Sequence, residues 1–111
     1  MELGLFSLSL SVNNISESKA FYEALGFDAM PSCGSVEDKW LIMKHGQTMI
    51  GLFEGMFENN IMTFNPSDVR AVQATLEAEG IDINVPVKGD SGPGHFMVKD
   101  PDGNSIMFDQ F

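Results

Sequence analysis

The two halves of this 111-residue chain repeat one order of structural elements. Residues 6–27 alternate polar and apolar side chains and then continue into a helical pattern that ends at a glycine, and residues 60–81 do the same. Strand-like runs follow each segment and are closed by tight glycine turns. The offset between the halves drifts between about 53 and 57 residues, as loops of different length allow. The repeat predicts one α+β domain over 1–111, with module one at about 3–55 and module two at about 58–111.

Each module is expected to have the order βαβββ. Residues 31–38 are predicted to form a loop, and 88–94, rich in glycine, are the best candidate for a mobile lid. The first helix should be capped by Asn14 and end at Gly26, with an apolar stripe of Ile15, Phe21 and Leu25; the second should start at Pro66–Ser67. The predicted strands are Leu5–Val12, Trp40–Lys44, Thr48–Glu54, Asn60–Phe64, Ile83–Val87, His95–Lys99 and Ser105–Phe111.

Composition excludes several classes of partner. Six Lys and Arg residues stand against 16 Asp and Glu residues, a net charge of -10, so neither nucleic acid nor an anionic membrane surface is an expected partner. The single cysteine, Cys33, allows no internal disulfide. With no signal peptide or membrane span apparent, the sequence predicts a cytoplasmic protein.

Two segments carry a family resemblance. VNNISESKAFYEALGF at 12–27 and FMVKDPDGNSIMF at 96–108 resemble the vicinal oxygen chelate superfamily, which includes glyoxalase I, bleomycin-resistance proteins, fosfomycin-resistance enzymes and extradiol dioxygenases. The resemblance implies that the two modules form a curled mixed sheet, a cup with the helices on its outer face. It also implies a homodimer, in which modules could be exchanged between chains.

The resemblance further implies four metal-ligand positions on the inner face of the cup. Transferred to this chain, they are Ser7, Gly51, Asn60 and Met107. A catalytic divalent ion is typically held by three imidazole or carboxylate donors, and none of these residues provides one. The sequence therefore predicts no metal and no other cofactor.

Strand alternation predicts which side chains line the cup. Asn60, Met62 and Phe64 are expected to share the inner face of their strand, while the faces rich in Leu and Ile pack against the helices. The predicted ligand-binding residues are Ser7, Ser9, Trp40, Met49, Phe53, Asn60, Met62, His95 and Met107. Serine and asparagine would orient a ligand, and methionine and phenylalanine would bury an apolar or aromatic one.

Three functions fit this sequence. The leading hypothesis is a metal-free small-molecule-binding protein similar to the bleomycin-resistance branch, with no catalytic residue. One alternative is a glyoxalase I-like lyase or dioxygenase with an unconventional metal site. The other is a non-catalytic interaction subunit whose cup is filled by its own side chains.

Overall fold

A computed structural model describes all residues, Met1–Phe111. It contains two helices and seven strands with both parallel and antiparallel pairings, so the predicted α+β class is confirmed. The strands are β1 (Leu5–Val12), β2 (Asp28–Ser35), β3 (Trp40–His45), β4 (Thr48–Glu54), β5 (Ile61–Asn65), β6 (Gly94–Lys99) and β7 (Ser105–Gln110). The helices are α1 (Ile15–Ala24) and α2 (Val69–Ala78).

The chain forms two compact units. The first unit comprises Ser7–Asn60, and the second comprises Ile61–Phe111 together with Met1–Phe6. Within the first unit the strand order is β2-β3-β4-β1, and within the second it is β5-β7-β6. In each unit the strand before the helix pairs in parallel with the last strand, and the remaining pairings are antiparallel.

The core of the first unit lies between its sheet and α1. Leu8 and Leu10 of β1 pair with Ile50 and Leu52 of β4, and partners in a parallel pair project to the same face. These side chains pack with Ile15, the one buried residue of α1. The fully buried members of this core are Ile15, Leu41, Met43, Ile50 and Leu52.

The core of the second unit is aromatic. The ring of Phe108 stacks on Phe96 at 4.7 Å and on Phe64 at 5.7 Å between centroids. Val69 and Val72 of α2 complete this core, and both are buried. Burying a large apolar side chain contributes about 1.5–3 kcal/mol, so the aromatic cluster is a main source of stability in this unit.

Equivalent side chains cap the two helices. Asn14 accepts a hydrogen bond from the Glu17 amide, and Asp68 accepts one from the Ala71 amide, each at 3.1 Å. A helix leaves its first amides unbonded, and an acceptor at the N-cap satisfies one of them. Asn14 is therefore confirmed as a cap, whereas the second helix starts at the cap Asp68 and not at the predicted Pro66–Ser67.

The last strand of each unit supplies a second cap. The first amide of α1, at Ile15, donates to Glu54 Oε1 at 2.9 Å, and the first amide of α2, at Val69, donates to Gln110 Oε1 at 2.9 Å. Glu54 and Gln110 stand at equivalent places at the ends of β4 and β7. These bonds tie each helix to its own sheet.

Three local predictions were wrong. Residues 31–38 are not all loop, because β2 continues through a register irregularity to Ser35. The expected strand Ile83–Val87 reduces to a single bridge between Val85 and Met97. Ile15 is buried as predicted, but Phe21 and Leu25 are exposed, and α1 packs Tyr22 against the core in their place.

The carboxylate cap makes the first unit sensitive to acid. The amide of Ile15, and then Lys39 at 3.2 Å, hold the pKa of Glu54 below 4.5. A lowered pKa stabilises the fold above the unfolded-state value, and this stability is lost as pH falls through the folded-state pKa. Glu54→Gln, which copies Gln110, should therefore lose less stability than the wild type between pH 6 and pH 3.

This difference can be measured by urea unfolding across that pH range. Glu37→Gln, which removes an exposed carboxylate near the start of β3, serves as the control. Equal losses of stability for the wild type and Glu54→Gln would contradict the charged cap.

Candidate functional site

One face of the first unit carries a row of serines beside aromatic rings. Ser9 and Ser11 pair with Gly51 and Phe53 of β4, so they project away from α1. Trp40 of β3 pairs with Phe53 and therefore lies on the same face. We call this surface the serine face; its members are Ser7, Ser9, Ser11, Trp40, Ile42, Met49, Gly51 and Phe53. The predicted placement of Ser7, Ser9, Trp40, Met49 and Phe53 on one face is confirmed.

The ring of Phe53, in a row of aromatic side chains, covers the position of Gly51. The rings of Trp40 and Phe53 are nearly parallel, at 12° with centroids 6.4 Å apart, and Phe57 lies 5.3 Å from Phe53. A Cβ atom at Gly51 would lie 2.5 Å from Cε2 of Phe53 and 3.2 Å from Cδ1 of Ile42. A side chain long enough to ligate a metal therefore does not fit at Gly51 unless Phe53 moves.

The serines of this face are mostly enclosed. Ser7 and Ser9 are 6% and 3% exposed. The hydroxyl of Ser11 donates to the carbonyl of Phe57 at 2.7 Å, and its amide donates to Oδ1 of Asn60 at 2.9 Å. Trp40, Met49 and Phe53 are half-buried, so among the predicted residues on this face they are the ones that a ligand could reach first.

The predicted facing of Asn60 was wrong. Asn60 precedes β5 and uses its side-chain oxygen to hold the end of β1. The N-caps Asn14 and Asp68 are 54 residues apart. The same offset from Ser7 leads to Ile61, so Ile61 and not Asn60 is the equivalent of Ser7 in the second unit. The family position assigned to Asn60 is therefore occupied by Ile61, whose side chain has no donor atom.

The predicted facing of Met62 was also wrong, because β5 is shifted by one residue from the predicted strand. Met62 and Phe64 pair with Ile106 and Phe108, and the rings of Phe64 and Phe108 stack on the α2 side of the sheet. A shift of one residue in a strand exchanges its two faces. Met107 pairs with Thr63, as predicted on the face away from α2.

A second polar surface lies around Met107. Met97 pairs with Met107, and His95 pairs with Asp109 one step further along the same two strands. We call this surface the Met107 face; its members are Thr63, Asn65, His95, Met97, Lys99, Ser105, Met107 and Asp109. It contains the predicted residues His95 and Met107, and it adds Asp109, which the sequence reasoning missed although the alternation of Ser105, Met107 and Asp109 could have indicated it.

Asp109 is the ionisable group that burial perturbs most clearly on this face. Partial burial raises the pKa of its carboxyl, and the opposing charge of His95 partly offsets the effect. The side-chain amide of Asn65 donates to the backbone carbonyl of Asp109 at 3.0 Å and fixes the strand there. A carboxyl with a raised pKa opposite an imidazole is an arrangement suited to proton transfer.

The donor set of the four family positions does not fit a catalytic metal. Ser7 is a weak neutral donor, Gly51 and Ile61 offer none, and Met107 offers only a thioether. No group of three His, Cys, Asp or Glu side chains stands close enough together to hold a metal ion.

A surface cavity lies elsewhere in the second unit. It has a volume of about 550 Å³ and contains none of the predicted ligand-binding residues. Glu2 closes one side, where its Oε1 accepts from the amide and the hydroxyl of Ser67 at 2.9 and 2.7 Å. The lining residues are Glu2, Gly4, Leu5, Asn65, Pro66, Ser67, Gln110 and Phe111.

The sequence profile of one family matches residues 4–108. This chain belongs to the glyoxalase/bleomycin resistance protein/dioxygenase superfamily. The resemblance seen in the two sequence segments is thereby confirmed. No curated protein matches the chain, and neither helix has the length and apolar character to cross a membrane.

Solved structures share the fold at low sequence identity. A superfamily member from Vibrio splendidus 12B01 has a TM-score of 0.72 at 18% identity and covers 96% of this chain and 97% of its own. A Legionella pneumophila protein described as an NAD-dependent benzaldehyde dehydrogenase has a TM-score of 0.77 at 18% identity, with 96% and 98% covered. Methylmalonyl-CoA epimerase from Mycobacterium tuberculosis has a TM-score of 0.71 at 12% identity, with 98% and 88% covered. At these identities the likeness establishes the fold alone.

Asp109 should weaken the fold where it is charged. Its raised pKa means that the associated stability is fully present below the unfolded-state value of 3.8 and is lost as pH rises through the folded-state pKa. Asp109→Asn, which keeps the backbone bond from Asn65, should therefore raise the melting temperature at pH 7 relative to the wild type and have little effect at pH 3.

Thermal unfolding at the two pH values tests this, with the exposed Asp82→Asn as the matched control. A melting temperature at pH 7 that falls in Asp109→Asn would show that the carboxylate stabilises the fold, contrary to the effect of burial.

Proposed function

We propose that this protein binds a small apolar or aromatic molecule without the help of a metal, in the manner of the bleomycin-resistance branch of its superfamily. The observation that carries the proposal is the pair of nearly parallel rings at Trp40 and Phe53 on the serine face, of which the Phe53 ring lies over Gly51. Aromatic surfaces of this kind favour stacking on planar ligands. Where members with a catalytic ion would need a donor, this chain has an aromatic ring.

Contacts to the ligand are assigned by accessibility. Trp40, Met49 and Phe53 are the leading contacts, since all three are half-buried on one face. Ser7 and Ser9 would bond to a ligand only after a neighbouring group moves, because both are buried. His95 and Met107 are proposed as contacts for a molecule bound at the Met107 face of the second unit, whereas the side chains of Asn60 and Met62 are used elsewhere.

A second candidate function is proton transfer, and the pairing of His95 with Asp109 favours it. A partly buried carboxyl can remove a proton from a bound molecule, and a nearby imidazole can return one, so that the product is an isomer of the substrate. The structural neighbour named methylmalonyl-CoA epimerase is an isomerase on the same fold, which makes this class of reaction reasonable for the scaffold.

Native mass spectrometry of protein purified from cells without added metal separates these functions. The binding function predicts a homodimer mass free of divalent ions, with a small organic adduct. A stoichiometric divalent ion would contradict it and favour a lyase or dioxygenase with an unconventional site. No adduct, together with no binding of neutral aromatic compounds, would favour the interaction subunit with a filled cup.

Trp40, the sole tryptophan, allows binding to be followed directly. Neutral planar dyes such as Nile red should quench its fluorescence on titration. Phe53→Leu should weaken binding about fivefold, because it removes a stacking contribution of about 1 kcal/mol.

Phe21→Leu is the matched control, since it removes an exposed phenylalanine from α1 in the same unit. Equal affinity of the dye for Phe53→Leu and the wild type would contradict a site on the serine face.

A further inference from the structure

Arg70, the only arginine in the chain, makes four hydrogen bonds to one short loop. Its Nε donates to the carbonyl of Gly89 at 3.1 Å and its Nη1 to that of Gly92 at 2.7 Å. Its Nη2 donates to the carbonyls of Lys88 and Ser91 at 3.1 and 3.2 Å. We call residues 88–92 the strap. Four of its five carbonyl groups therefore converge on one guanidinium.

This arrangement is unusual for so acidic a chain. There are 16 carboxylate side chains, yet the two ion pairs that form are Lys19–Glu23 and Lys39–Glu54. Arg70 is bonded only to backbone oxygens. Convergent carbonyl dipoles repel one another unless a cation lies between them, and the planar guanidinium has five N–H groups to meet them.

The strap has little else to keep this shape. Gly89 and Gly92 have φ values of +77° and +80°, which glycine adopts without strain and which turn their carbonyls toward Arg70. The neighbouring amide of Val87 donates to Oε1 of Gln73 at 2.8 Å, which anchors the entry to the strap on α2. Sequence composition predicts a mobile lid at 88–94, and the structure shows Arg70 bonded to four carbonyl groups of this segment.

The strap leads directly into the Met107 face. β6 begins at Gly94, and a Cβ atom at that glycine would lie 3.1 Å from Cγ1 of Val87 and 3.3 Å from Nη2 of Arg70. The next residue, His95, pairs with Asp109. The fastening of the strap therefore fixes the backbone from which His95 projects.

We propose that the strap is a latch that Arg70 alone holds closed, and that Arg70 thereby acts as a positioning residue for His95 opposite Asp109. When the latch opens, the strap and the start of β6 are released together while the rest of the second unit stays folded. The proposal rests on the proposed function only for the role given to His95; the latch itself is independent of any ligand.

Limited trypsin digestion tests the latch, because the bond after Lys88 lies within the strap. Cleavage requires a locally unfolded segment. The Lys88–Gly89 bond should be cleaved at least about tenfold faster in Arg70→Ala than in the wild type, measured relative to cleavage after Lys39 in the first unit. Arg70→Lys should lie between them, since an ammonium ion cannot span four carbonyls.

Chemical rescue makes the test specific. Guanidinium chloride, at concentrations well below those that unfold the protein, should slow cleavage after Lys88 in Arg70→Ala, whereas sodium chloride at equal ionic strength should not. Because guanidinium also inhibits trypsin weakly, all rates are taken relative to Lys39. Lys19→Ala, which removes one surface cation from the first unit, should leave the ratio unchanged.

The positioning role has its own readout. In NMR spectra the ring resonances of His95 should shift or broaden in Arg70→Ala, while those of His45, in the first unit, should not. Unchanged cleavage after Lys88 would overturn the latch, and so would equal acceleration at Lys39, which would mean global unfolding. Unchanged His95 resonances with faster cleavage would overturn the positioning role alone. Failure of dye binding at the serine face would leave these results unaffected.

Discussion

A hydrogen bond from the first amide of each helix to a side chain on the last strand of its unit is the contact on which much of the architecture depends. Glu54 and Gln110 accept these bonds, each at 2.9 Å. An unbonded helix amide is costly when water cannot reach it, so each helix is held where its last strand ends. This contact fixes the start of each helix at the end of the last strand of its unit.

The register of the strands then decides the composition of the two faces that point away from the helices. In the first unit Leu8 and Leu10 turn to α1, which leaves the serines with Trp40 and Phe53. In the second unit the stacked rings of Phe64 and Phe108 turn to α2, which leaves Met107 with His95 and Asp109. Each unit thus combines an apolar core with a more polar second face, as expected where one side of a sheet packs on a helix.

Membership of the superfamily does not bring its metal chemistry with it. The superfamily gives a scaffold, and what the scaffold does depends on the side chains at its faces. Here a phenylalanine ring occupies the space over Gly51, and Ile61 replaces any donor in the second unit. The one arginine of the chain, Arg70, bonds to the strap beside His95 and so helps to shape the Met107 face of the second unit.

Alternation and repeat spacing, together with the family resemblance, were sufficient to predict the fold and the facing of β1, β3, β4 and β7. They failed at β5. The alternation is acceptable whether the strand starts at Asn60 or at Ile61, because Ile61, Met62 and Phe64 place apolar side chains on both faces. They also failed at α1, since Phe21 and Leu25 lie at helical spacing from Ile15 but are exposed. A sequence pattern shows which residues are hydrophobic, whereas their burial depends on whether another part of the fold packs against them.

The sequence by itself determined the cap at Asn14, the end of the first helix at Gly26 and the turns, because each depends on residues close together in the chain. It also determined the doubled module, because the same local pattern occurs twice, and the absence of imidazole or carboxylate at the family positions, because that depends on residue type alone. Only the tertiary structure decided that Glu54 and Gln110 cap the helices, that Asp109 lies opposite His95, and that Arg70 fastens the strap. These contacts join residues 14 to 41 positions apart, and their partners are selected by strand register and packing, which a single sequence does not record.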